Sequence, residues 1–323
     1  MTIKKWEWKR WTIYAMRHAL GGSLAIFTAS ILGLQFASQA GGICIFSMLS
    51  TSKDTMKLTI SRVLSFIVTA ICSYFLFTYL KSAYIAFGLF IFITIVVSEM
   101  MGWGAALSAN VVAGTHFLSV EHFTVDVIIN EFYIVIIGMV FALMFNLIRD
   151  TSTQREELDE GIGLVQGKLK DILEHLADYL KTKDQTVWKE INDLEKHLLF
   201  YIRRAMEYEG NTFGDEAHYY TGYYEMLKNQ TQILHNLHPQ MRKIGTMPDQ
   251  ADFVIELINY LGNHVTQMQV PNSEITELQE IFSRLQVEDM PKSREEFENR
   301  AILYHIITAL DDFLMIKWKY LVM

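Results

Sequence analysis

The chain has 323 residues, of which 51% are hydrophobic and 20% charged, and its formal net charge is −8. Its mean hydropathy is positive, +0.17, which excludes an ordinary soluble globular protein of average composition. With its only basic excess at the N-terminus beside an apolar block, the chain also lacks the broad cationic face a nucleic-acid binder requires.

Charge is distributed unevenly. Residues 18–148 carry four basic side chains (Lys53, Lys57, Arg62, Lys81) and five acidic ones (Asp54, Glu99, Glu121, Asp126, Glu131), whereas residues 149–323 carry 19 basic and 30 acidic ones. The first stretch has too few charges to face water, and the second has the composition of a soluble acidic domain. The pattern predicts an all-α protein in three parts: an N-terminal interfacial or cytoplasmic helix (1–17), a transmembrane helix bundle (18–148) and a cytoplasmic α-helical domain (149–323). Trp6, Trp8 and Trp11 interleave with Lys4, Lys5, Lys9 and Arg10. That mixture suits a helix at headgroup depth better than a secretory signal, although Ala37-Ser38-Gln39-Ala40 loosely resembles a cleavage site.

A membrane span needs roughly 20 apolar residues, because the hydrocarbon core is about 30 Å thick and a helix rises about 1.5 Å per residue. Six spans are predicted, at about 18–34, 36–50, 58–80, 83–100, 103–120 and 127–148. The second is short, with a broken or re-entrant segment as the alternative. Lys4 to Arg17 precede the first span, Lys53, Lys57 and Arg62 follow the second, and Arg149 and Arg155 follow the sixth, while the opposite loops hold a lone Lys81 and the acidic stretch 121–131. Basic residues near span ends stay in the cytoplasm, so a multi-pass plasma-membrane protein with both termini cytoplasmic is expected. Gly21, Ala25, Ala29 and Gly33 recur every four residues, as do Ala105, Ala109 and Ala113 beside Ala106, Asn110 and Gly114. Such stripes let helix backbones approach closely in lipid. Cys44 and Cys72 lie within apolar runs and predict neither a disulfide nor a thiolate metal site.

Beyond residue 150, Leu158, Ile162, Val165, Leu169, Ile172 and Leu176 form a heptad seam of coiled-coil type, weakened by Gly161, Gly163 and Gly167. Helices are predicted over 187–206, 216–237, 251–268, 273–285 and 294–320. Ser293 and Glu296 open the last as a capping box, and Pro239, Pro248, Pro271 and Pro291 punctuate the helical pattern. Tyr219, Tyr220, Tyr223 and Tyr224 read as a packed aromatic face, with a pocket for an aromatic ligand as the alternative. His235 and His238 lack the further ligands of a zinc site. Neither GxGxxG nor GxxxxGK[ST] occurs, and no nucleophile, base or metal constellation emerges. No enzyme activity and no cofactor are expected.

Ionisable and amide groups within spans are costly and mark function. Arg62, about one turn into the third predicted span, is placed to snorkel, to pair with an acid or to hold an anion, and Lys53 and Lys57 are expected to add a cationic vestibule with Arg17. Glu99, at the same end, is a candidate partner of Arg62 or Arg17 and a candidate proton-coupled gate. Asn110 offers a donor and an acceptor near the bilayer midplane. His116 and Asn146 read more weakly, as interhelical hydrogen-bonding groups.

These residues carry a resemblance. Arg17 with Gly21-Gly22-Ser23-Leu24-Ala25-Ile26, the segment 37–48, the Lys53 to Arg62-Val63-Leu64 linker and the charged helical tail are together similar to the bacterial aromatic acid exporter family, related to fusaric acid resistance proteins. The resemblance implies export of small aromatic carboxylates. More distantly it points to plant aluminium-activated malate transporters, hence to a homodimeric anion pathway with a cytosolic helical domain. Asp54 among the basic positions, and the lack of a proline before Lys53, depart from the pattern. The expected function is an integral membrane exporter of small organic anions, acting as a secondary transporter or channel. Its alternative is a membrane-anchored sensor or scaffold with a partner-binding helical domain.

Overall fold

A computed structural model of the chain describes residues 2–49, 51–120, 123–147, 151–214, 216–267 and 269–322, with backbone alone for residues 2–7, 9, 10 and 216. Glu121, Arg149 and the side chains of Lys4, Lys5, Trp6, Lys9 and Arg10 lie outside the described residues. Among the described residues the regular elements are all helical, and the chain divides into two units, Met1–Asp150 with Gly210–Thr212, and Thr151–Glu209 with Phe213–Met323.

The first unit contains α1 (Thr2–Ile31), α2 (Ser38–Ser47), α3 (Ser52–Tyr79), α4 (Ala83–Met100), a 3₁₀ turn (Gly104–Ala106), α5 (Leu107–Ser119) and α6 (Val125–Leu147). The predicted interfacial helix and first span are one continuous helix, because neither proline nor glycine interrupts the chain before Gly21. The α1–α2 connection, residues 32–37, turns at Gly33, whose φ of +70° only glycine adopts freely. α2 has 10 residues, so it rises about 15 Å, half the hydrocarbon thickness. α3 starts earlier than the apolar run suggests. Thr51 caps it, with Oγ1 accepting from the Asp54 amide at 3.2 Å and donating to the Asp54 carboxylate at 2.6 Å. Lys53 and Lys57 therefore stand on the first turns of a helix rather than in a linker, and Asp54 serves the cap and the positive helix end.

α3, α4 and α6 are long and apolar enough to cross a membrane. α1, α2 and α6 pack as one group, α3 packs on α4 and α5, and α3 against α6 joins the two groups. Small residues allow this: Ala25, Ala29, Ala40, Ala109, Ala113 and Ala142 are buried. At the α1–α2 crossing, a Cβ on Gly41 would lie 2.6 Å from Ile26 and 3.0 Å from the Gly22 carbonyl. Ile60, Ile67, Ile71, Phe75 and Phe92 face outward, so the exterior is apolar, while the interior mixes alanine and larger apolar residues such as Phe66, Phe117 and Ile134 with polar groups. Such an exterior is the reverse of a water-soluble bundle's.

The second unit contains α7 (Ser152–Thr182), α8 (Thr186–Asn211), α9 (Glu216–Met241), α10 (Ala251–His264), α11 (Asn272–Gln286) and α12 (Arg294–Val322). The heptad residues Leu158, Val165, Leu169, Ile172 and Leu176 are consumed in its core, with Ile162 packed against them. The seam thus closes on helices of the same chain. Gly161 belongs to that arrangement, since a Cβ there would meet the Tyr201 ring at 2.4 Å and the Tyr224 hydroxyl at 2.5 Å, two rings that stack 5.2 Å apart. Tyr220, Tyr223 and Tyr224 are buried, as core packing requires. Tyr220 donates to Asp159 at 2.6 Å, Tyr224 to the Leu158 carbonyl at 2.7 Å, and Tyr223 accepts from Gln166 at 2.6 Å. Burial pushes the Tyr223 hydroxyl up to about 12. Ser293 Oγ caps α12 by accepting from the Glu296 amide at 3.1 Å, while Glu296 reaches back to the Lys292 amide. Pro239 lies inside the last turn of α9 instead of ending it. α10 stops at His264, short of the predicted end.

Candidate functional site

The interior of the first unit holds three polar groupings, each answering the same requirement: buried backbone and side-chain polar groups must find partners among themselves. The first lies at the C-terminus of α2. A helix leaves its last carbonyls unbonded and slightly negative, and those of α2 end inside the bundle because the helix is short. Arg62, reaching across from α3, answers them. Its Nη1 donates to the Ile43 carbonyl at 3.1 Å and to Ser47 Oγ at 2.5 Å, and its Nη2 donates to the Phe46 carbonyl at 3.2 Å. Ser47 Oγ itself donates to the Ile43 carbonyl. Arg62 is 1% exposed, so it neither snorkels nor, among the described residues, pairs with an acid.

Arg17 does the same for α6. Its Nε donates to the Phe145 carbonyl at 2.8 Å, its Nη2 to that same carbonyl and to Asn146 Oδ1 at 2.9 Å. Asn146 then ties the α2–α3 connection: its Nδ2 donates to the Leu49 and Thr51 carbonyls at 3.2 and 3.1 Å and to Thr55 Oγ1, and its own carbonyl accepts from Ser52 Oγ at 3.0 Å. Asn146 is therefore a hub for the loop, a role that sequence spacing alone does not reveal.

The second grouping runs along α3. Arg62, Ser65, Thr69 and Ser73 follow at helical intervals, all at most 1% exposed, and cover about 16 Å of helix. Asn110 of α5 meets this stripe, its Nδ2 donating to Ser65 Oγ at 2.6 Å. Four atoms here have no hydrogen-bond partner among the described residues: Arg62 Nε, Thr69 Oγ1, Ser73 Oγ and Asn110 Oδ1. Buried polar groups are usually satisfied, and each one left open is destabilising by about 1–3 kcal/mol.

The two lysines stand apart from the buried guanidinium. Lys57 is exposed and Lys53 only half-buried. Five residues of helix turn Lys57 about 140° away from the buried face that holds Arg62. Glu99, at the end of α4, is exposed and lies beside Gly104. It does not meet Arg62, whose donors face α2, or Arg17, whose side chain lies on the end of α6.

The third grouping lies at the opposite ends of the helices. His116 of α5 and Glu131 of α6 share a 2.9 Å contact between Nδ1 and Oε1, with both side chains buried. The Phe36 ring stacks on the imidazole at 4.0 Å with an 11° tilt. Asn130 holds the loop that bears Phe36: its Oδ1 accepts from the Gln35 amide at 2.8 Å and its Nδ2 donates to the Gln35 carbonyl at 3.1 Å. In sequence Glu131 belongs to the acidic stretch 121–131. The available signal was its place six residues inside the apolar run of α6, where an acid is unusual.

Comparison with known proteins follows the same division of the chain. Residues 13–148 match the family model for aromatic acid exporter family member 1, and residues 155–318 match that of an aromatic acid exporter C-terminal domain. The chain is 26% identical over 312 residues to the uncharacterized protein YqjA of Bacillus subtilis (strain 168), covering 94% of each. The chain is 23% identical to the crystal structure of a membrane protein from Clostridium difficile 630, with a TM-score of 0.47, over 52% of this chain and 99% of that one. With an apolar exterior around polar, close-packed helices and family matches over nearly its whole length, the chain belongs to the aromatic acid exporter family of membrane proteins.

Proposed function

We propose that this protein is a plasma-membrane exporter of small organic anions, aromatic carboxylates foremost, and that the chain crosses the bilayer six times with both termini in the cytoplasm, the short α2 completing its crossing with the connections on either side of it. Family membership supports export rather than catalysis, and the basic residues gathered at one end of the helices support the orientation. The observation that carries the reading is the buried stripe of Arg62, Ser65, Thr69, Ser73 and Asn110 with its four unpartnered atoms. A scaffold has no use for open hydrogen-bonding groups inside its anchor, whereas a conduit uses them to replace the hydration of a passing carboxylate. Lys53 and Lys57, on the first turns of α3, draw anions to the entrance. Arg62, already bonded to the end of α2, supplies positive potential and its remaining Nε–H. In the absence of a nucleotide motif, export runs as secondary transport or as a channel. A negative interior drives an anion outward by about 2.3 kcal/mol per charge per 100 mV.

Thr69→Val tests this directly. The change is isosteric and removes a hydroxyl that bonds nothing among the described residues, so stability holds or rises. Loss of a hydrogen bond to a charged solute, about 1.5–3 kcal/mol, slows efflux about tenfold or more. Protein reconstituted in vesicles loaded with benzoate, 4-hydroxybenzoate or phthalate is compared with protein-free vesicles. Wild-type efflux no faster than the protein-free rate for every probe sinks the export reading.

A further inference from the structure

His116 and Glu131 take no part in the route just described, yet they are a buried ionisable couple among otherwise apolar neighbours such as Phe117, Ile134 and Val135. We propose that they form a one-proton binding site whose occupancy is coupled to export. The coupling rests on the export reading above; the proton site itself does not.

Charge balance motivates the site. With one proton shared across Nδ1 and Oε1 the couple is net neutral, either as imidazolium with carboxylate or as imidazole with carboxylic acid. Without that proton a net charge of −1 remains. An unbalanced charge enclosed by apolar side chains is destabilising by several kcal/mol relative to the same charge in water. Release of the proton and access of water to the couple therefore go together, and the proton returns to the water from which it came.

The enclosure has a specific form. One wall is the Phe36 ring, stacked on His116. Phe36 has a φ of +59°, a left-handed conformation uncommon for a bulky residue and held only where the surroundings over-determine it. Those surroundings are the paired Asn130 bonds to Gln35, one residue before Glu131 on the helix side and one before Phe36 on the loop side. The α1–α2 connection is thus fastened to the residue next to the acid and closes over its partner.

Among the described residues, no other buried ionisable side chain joins the couple from the elements packed around it. Asp126 and Tyr133 of α6, Tyr74 and Tyr79 of α3, Lys81 and Tyr84 are exposed, and Cys72 of α3 is half-buried. Asn110 and His116 both belong to α5, six residues and hence about 9 Å apart along its axis. One rigid 13-residue helix accordingly carries both the amide of the anion route and one member of the proton site, so a displacement that opens either is felt by the other.

The test uses Glu131→Gln and His116→Gln in full-length protein, reconstituted with a pH dye inside and benzoate as the probe, with protein-free rates subtracted. A pH difference of one unit, acid on the side of the α1–α2 loop, is expected to raise wild-type efflux up to about tenfold, the equivalent of one proton. In both variants that ratio falls to about one. Wild-type efflux indifferent to the gradient, or a variant retaining the full response, overturns the coupling. The proton site is read separately by pH-difference infrared spectroscopy of the detergent-solubilised protein. A carboxyl or imidazole protonation band present in wild type and lost or shifted in each folded variant upholds it even where no probe is exported, and a variant spectrum identical to wild type overturns it. Two variants are used so that a folding failure in one leaves the other decisive.

Discussion

Ser47 Oγ lies 2.5 Å from Nη1 of Arg62, and through that bond a guanidinium on α3 is fixed to the last turn of α2. The arginine that looked like an anion receptor in the sequence is first of all a cap for a helix too short to bring its C-terminus to water.

Removing it exposes that role. Arg62→Met leaves the Ile43 and Phe46 carbonyls and the Ser47 hydroxyl with fewer partners, at about 1–3 kcal/mol for each group left open. Thermal unfolding in detergent should show a Tm drop of several degrees for Arg62→Met and a smaller one for Arg62→Lys, which keeps one point donor without the fork. A Tm equal to wild type in Arg62→Met would mean that the cap contributes nothing and that the residue is kept for solute alone.

Two glycines of α7 should respond oppositely to alanine. At Gly161 the new methyl enters the space of Tyr201 and Tyr224, and overpacking of a filled core is destabilising by about 1–3 kcal/mol. At Gly163 nothing lies within 4 Å, so the gain in helix propensity, up to about 1 kcal/mol, is unopposed. Measured by urea unfolding of the full chain, the two variants should fall on either side of wild type. The same sign for both would contradict the packing described.

A pH effect is expected at the surface of the second unit. The hydrogen bond from His175 to Glu190, 2.7 Å long, holds the imidazole above its ordinary value, with partial burial opposing. A base whose folded value is raised stabilises fully below its unfolded value, about 6.5, and loses that contribution as pH climbs through the folded value. Both partners are more than a third exposed, so solvent limits the effect to about 0.5 kcal/mol. His175→Gln should lower Tm by about 1–2 °C at pH 6 and leave it unchanged at pH 9. A deficit that persists undiminished at pH 9 would refute the assignment.

Much of this architecture was open to reading from the chain alone. Apolar runs located α3, α4 and α6, the heptad residues of α7 marked a buried face, and Ser293 with Glu296 marked the start of α12, because each depends on neighbours within a few positions. The spacing of Arg62, Ser65, Thr69 and Ser73 was equally visible, although only Arg62 stood out by its charge. Asn110 was singled out correctly as an interior amide, while its partner Ser65, 45 positions away, was beyond local pattern.

The tertiary structure decided what those groups touch. Arg62 faces α2 and Lys57 faces outward because five residues of helix separate them by about 140°, which charge counting along a linear chain does not register. Glu99 and Arg62, near the same ends of their helices, point to different neighbours. Glu131 passed for part of an acidic loop until α5 placed His116 against it and Asn130 drew Phe36 over both. Composition and periodicity determined the helices and their apolar surface, since local backbone geometry and burial follow from residue type. Which polar group finds which partner depends on contacts between residues far apart in the chain, and close packing of the helices alone determines those.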